Sequence, residues 1–132
     1  KEIKTGRVKL INGDSAVKIK EVLEEIDEPI FIYLDAHAHD VGKCPLEVEL
    51  DVIKDHIEKT GHNHVVMVDD VWFIDNQDNF SGKRSWGQDI PFNVFCEKLS
   101  SVFGDKVELD KVKYHGVAYS DGGKNYALVA KK

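Results

Sequence analysis

Three aspartates stand directly after apolar runs: Asp35 follows Ile30–Leu34 (IFIYL), and Asp69 and Asp70 follow Val65–Val68 (VVMV). If these runs are neighbouring parallel strands, the three carboxylates meet at one sheet edge, where mutual repulsion makes full ionisation costly unless a cation intervenes. Oxygen donors of this kind suit magnesium, or calcium or manganese, better than zinc. The structural alternative is that each aspartate caps the helix or turn after its strand. His37, two residues beyond Asp35, falls at the same edge and suits a metal ligand, a general base or a substrate contact. His39 lies farther along that loop. His62 and His64 sit between a helix end and a strand start, at the opposite edge, and read as solvated, dipole-facing turn residues. His56 on a helix and His115 on a late strand have no partner visible in the sequence.

The elements that must position these groups follow from hydrophobic periodicity. Arg7–Asn12 alternates polar and apolar and stops at Gly13, as a strand ending in a tight turn does. Asp14 and Ser15 then supply capping oxygens for a helix with Val17, Ile19, Val22, Leu23 and Ile26 near helical spacing, ended by Asp27-Glu28-Pro29. Ile30–Leu34 is continuous enough to predict a strand covered on both faces. Pro45 opens a second helix with Leu46, Leu50, Ile53 and Ile57 in one stripe, closed by Lys59 and Gly61. Val65–Val68 is another buried-strand run. Trp72 to Pro91 is a long polar stretch, and its aromatics Trp72, Phe80 and Trp86 suit either pocket walls or ordinary packing. Phe92, Phe95, Cys96, Leu99 and Phe103 form a third helix capped by Gly104. Val112–Tyr119 and Tyr126–Ala130 flank a turn at Ser120–Asn125, a hairpin signal.

This order predicts one α/β domain over residues 1–132: a Rossmann-like three-layer sandwich with a mostly parallel sheet of about five strands and an antiparallel C-terminal hairpin. In such sheets ligands bind beyond the carboxyl ends of the strands, which selects Gly13-Asp14-Ser15, Asp35-Ala36-His37 and Asp69-Asp70. The chain has 132 residues, 18 basic and 24 acidic, with a net charge of -6, so a broad electrostatic grip on nucleic acid is not expected. No apolar run reaches the roughly 20 residues of a membrane helix and no secretory signal opens the chain, which predicts a cytoplasmic protein without membrane attachment. Cys44 and Cys96 lack metal-ligand or disulfide-framework spacing. An amidohydrolase barrel, which also places an HxH at a strand end, would need roughly 200 residues or more.

Taken in order, LINGDS (Leu10–Ser15), YLDAH (Tyr33–His37), PLEVELDVI (Pro45–Ile53) and VVMVDDV (Val65–Val71) resemble the latter part of class I S-adenosylmethionine-dependent methyltransferases. The resemblance is greatest to the metal-dependent O-methyltransferases. It implies that Gly13, Asp14 and Ser15 lie against the adenine of the cofactor, with Asp35 also among the cofactor-binding residues. It also implies that Asp35, Asp69 and Asp70 hold magnesium, which binds the acceptor hydroxyl of a small molecule or sugar. His37 would position that acceptor or take its proton, with Asp35 beside it in the catalytic set. The terminal hairpin matches the antiparallel last strand of that fold.

The sequence departs from the family at its start. It contains neither the glycine-rich loop that receives the methionine part of the cofactor nor a preceding strand pair, and begins at what resembles the third strand. The expectation is thus a partial domain with weak or no affinity of its own for S-adenosylmethionine. Two other readings compete. One is a non-catalytic remnant serving as an oligomerisation or interaction module, with homodimerisation across a sheet edge that the family covers. The other is a small metal-dependent hydrolase built on the carboxylates and His37.

Overall fold

The computed structural model describes residues 3–4, 8–36, 44–75, 91–104, 107–113 and 126–132. Among them the chain runs β1 (Ile3–Lys4), β2 (Lys9–Leu10), α1 (Ser15–Leu23), β3 (Phe31–Leu34), α2 (Leu46–Thr60), β4 (Val65–Val68), α3 (Val71–Asp75), α4 (Phe92–Ser101), β5 (Glu108–Lys113) and β6 (Tyr126–Lys131). The architecture is α/β, on a four-stranded mixed sheet of order β3-β4-β6-β5. β3 and β4 are parallel, in register Phe31↔Val65 to Leu34↔Val68. β6 runs antiparallel to both β4 and β5.

This differs in two ways from the expected sheet of about five mostly parallel strands. Two of its three pairings are antiparallel, because the final strand inserts between β4 and β5 rather than beside one of them. The predicted first strand is reduced to β2, which pairs with β1 in a separate two-stranded sheet. Its apolar face is left unburied there, with Val8 and Leu10 53% and 52% exposed.

The three predicted helices form, although α1 ends at Leu23, before the predicted Asp27-Glu28-Pro29 stop, and α4 ends at Ser101, before Phe103. Asp14 caps α1 by accepting the Ala16 N–H on Oδ1 at 2.9 Å. α2 ends at Gly61, whose φ of 73° lets its N–H reach the Ile57 carbonyl at 2.8 Å. Leu46, Leu50 and Ile53 of α2 and Phe95 and Leu99 of α4 are buried with Ile32, Leu34, Val66, Val68, Leu128 and Ala130 of the sheet, in one core. Val17, placed in the α1 stripe by spacing, is exposed instead; Leu23 is the buried residue of that helix.

β3 is also corrected. Ile32 and Leu34 are buried, yet Phe31 and Tyr33 on the other face are 59% and 49% exposed, so among the described residues the strand is not covered on both faces. The hairpin's first strand begins at Glu108, ahead of the predicted Val112, since the alternating ELDKVK segment pairs fully with β6 from Glu108↔Lys131 to Lys113↔Tyr126. Its predicted continuation and the turn at 120–125 lie outside the described residues. Within the stretch expected as a loop, Val71–Asp75 is helical, with Val71 and Ile74 buried. Among the described residues no helix is long and apolar enough to cross a membrane.

Candidate functional site

The parallel register fixes the site's centre. Leu34 and Val68 are paired, so Asp35 and Asp69 leave adjacent strands at the same carboxyl edge, and the Asp69 N–H donates to the Leu34 carbonyl at 3.0 Å. Asp69 is 9% exposed. Its Oδ2 accepts the Tyr33 hydroxyl, and its Oδ1 accepts the N–H of Asp70 at 2.6 Å. Asp70 has a φ of 52°, the sole positive φ among the described non-glycine residues. That conformation is sterically costly for a residue with a Cβ, less so for aspartate, and it turns the chain sharply from β4 into α3. Asp35 is exposed and Asp70 half-buried.

The start of α1 belongs to the same end of the molecule. α2 begins after β3's carboxyl end and finishes before β4's start, so its first turn lies at the acidic edge. There Glu49, 2% exposed, takes a hydrogen bond from the Ser15 side chain and lies near Asp14. Burial pushes the Glu49 carboxyl above the ordinary glutamate value; the Ser15 bond works against this and the Asp14 charge adds to it. Gly13 has a φ of 148°, and a Cβ there would approach Lys18 Cγ to 3.1 Å. Gly13, Asp14, Ser15, Asp35, Asp69 and Asp70 thus share one end of the fold, although Asp14 and Ser15 are engaged in capping α1 and bonding Glu49.

Glu49 is the residue that sequence reasoning missed. Its position, three residues after Leu46 and four before Ile53, places it on the buried stripe of α2. That spacing was the available signal.

Donor chemistry at this edge is oxygen-only and suits a hard divalent cation. Among the described residues, however, no group of three or more His, Cys, Asp or Glu side chains is arranged to hold a metal ion. Both Asp69 oxygens also accept hydrogen bonds within the fold. The described residues do not by themselves supply a three-ligand site. His37, His39, His115, Phe80 and Trp86 lie outside the described residues, and the backbone alone of Trp72 is placed, in α3.

Nucleophilic chemistry gains little support here. Burial raises the Cys44 thiol; a bond from the Leu46 backbone opposes this, while Glu49 and Glu47 reinforce it. Both cysteines are free thiols. Farther off, the Tyr126 hydroxyl donates to Asp75 Oδ2 at 2.7 Å, which ties α3 to β6.

At the opposite edge the structure corrects the reading of His64. It is 1% exposed rather than solvated, and its ring stacks on His56, with centroids 5.2 Å apart.

No protein-family model matches the chain, and no curated protein or solved structure was found to match it.

Proposed function

We propose that the chain is the latter part of a Rossmann-like, class I S-adenosylmethionine-dependent methyltransferase domain of the O-methyltransferase kind. The observation that carries this reading is topological. A parallel pair, β3 and β4, ends in Asp35 and Asp69-Asp70, and the last strand returns antiparallel beside β4. An antiparallel last strand is also what the motif resemblance implies, which supports the reading.

In the proposed reaction the acceptor hydroxyl attacks the sulfonium methyl in line: the O–CH3 bond forms, the S–CH3 bond breaks, and the hydroxyl proton passes to a base. His37 is the proposed base, with Asp35 and Asp70 orienting the acceptor from the sheet edge. Gly13, Asp14 and Ser15 are proposed to border the adenine. Magnesium binding at Asp35, Asp69 and Asp70 stays a separate proposal. The acceptor class remains a small-molecule or sugar hydroxyl.

Calorimetric titration with S-adenosylhomocysteine, with and without magnesium, tests the reading. Weak binding in the millimolar range supports it, and no heat at that concentration removes cofactor binding from this chain. Magnesium-dependent stabilisation of the wild type that is lost in Asp69→Asn supports the metal proposal, and its absence from the wild type removes it.

A second reading, an oligomerisation module, has its own support. Among the described residues β3 is an outer strand of the sheet, with Phe31 and Tyr33 exposed on one face. An outer strand can recruit a further strand across its edge. Light scattering at high concentration decides: a dimer supports the module, and a monomer counts against it.

A further inference from the structure

Away from the acidic edge, the end of α2 and the start of β4 bring three histidines together. The His56 and His64 rings lie 5.2 Å apart with planes 15° from parallel. His62 is 6.0 Å from His56 and 5.8 Å from His64. His64 Nδ1 accepts the backbone N–H of Ile30 at 3.1 Å. A peptide N–H can only donate, so Nδ1 must present a lone pair and the proton of the neutral ring resides on Nε2. The Nε2 atoms of His64 and His56 are buried, with no hydrogen-bond partner among the described residues. This tautomer disfavours metal ligation by His64 Nε2, since a histidine ligand needs its other nitrogen to carry the proton. A proton, by contrast, changes the contact directly.

We propose that His56, His62 and His64 form a proton-responsive latch on the amino-terminal ends of β3 and β4, closed while His64 is neutral and released when it is protonated. A proton on Nδ1 turns the acceptor into a donor facing the Ile30 N–H, and that bond is lost. The new charge also lies beside His56 and His62. Ile30 is held on its other side by its carbonyl, which accepts the Val65 N–H at 3.0 Å, so release loosens the strand start without unpairing β3 from β4.

Burial and the neighbouring charges set where this happens. Lys20 and Glu24 of α1 and Asp55 and Lys59 of α2 line a cavity of about 260 Å³ that borders His56. Burial is the main force holding His56 and His64 below the ordinary histidine value, and the neighbouring histidines act in the same direction, with Lys59 adding to the effect on His56. The latch therefore stays closed at neutral pH and opens on the acid side of the usual histidine range.

Histidine 15N spectra and amide hydrogen exchange between about pH 8 and about pH 5 test this. At the upper pH His64 should show the Nε2–H tautomer. On acidification the Ile30 protection factor should fall about tenfold relative to the core amides of β4 and β6. In His56→Gln/His62→Gln the midpoint should move up toward the ordinary histidine value. An Nδ1–H tautomer for His64, unchanged Ile30 protection, or an equal loss across the sheet would overturn the latch. His64→Gln should abolish the pH dependence at Ile30, and if it fails to fold the wild-type tautomer still decides.

Discussion

At Asp70 the chain keeps a backbone conformation that glycine adopts more easily, and strain held at the end of a strand is a mark of functional positions. Asp70→Gly should raise stability by up to about 1 kcal/mol in urea unfolding, while removing whatever the carboxylate contributes at the edge. Tyr33→Phe deletes the hydroxyl that bonds Asp69 and should cost about 1 kcal/mol, since Tyr33 is half exposed. Glu49 gives the pH dependence of this end. Its folded value is raised, so it adds most stability below the unfolded value, and that contribution is lost as pH rises through the folded value. Glu49→Gln should abolish this alkaline-side loss, measured as urea midpoints across the pH range. Asp35, Asp69 and Asp70 were legible because each follows an apolar run. Glu49 was hidden because a carboxylate on a helix is normally a solvated one, and only its place on the apolar stripe betrays it.

At the scale of elements, apolar runs and caps carried most of the information. Val65–Val68 becomes a strand because its β-branched residues pair on both sides, with β3 and with β6. Pro45 and Gly61 bracket α2 as their backbone preferences require. Gly61→Ala should cost about 1 kcal/mol, because its φ of 73° is unfavourable for a Cβ although space is free around it. Leu50→Ala should cost about 2–5 kcal/mol, since the side chain is 1% exposed in the core between α2 and the sheet. Coverage of a strand face was not legible: Ile30–Leu34 reads the same whether or not another layer lies over Phe31 and Tyr33. Nor was the fate of Lys9–Leu10, whose alternation fits a central strand equally well. Long-range partners decided both.

At the scale of the molecule, two ends carry opposite characters. The carboxyl edge of β3 and β4 gathers aspartates, and the other end gathers three histidines, of which burial favours the neutral form of His56 and His64. The sign for the histidines is the reverse of that for Glu49. The folded values of His56 and His64 are lowered, so stability declines as pH falls through the unfolded histidine value toward the folded one. The histidine grouping was not legible in sequence because His56 meets His64 only when α2 packs back to the start of β4.

Whether the acidic end receives the cofactor is decided by amide chemical-shift mapping with S-adenosylhomocysteine. Weak, saturable shifts confined to Gly13, Asp14, Ser15 and Asp35 are expected at millimolar ligand. Their absence, or shifts centred on any other part of the fold, would contradict cofactor binding at this end.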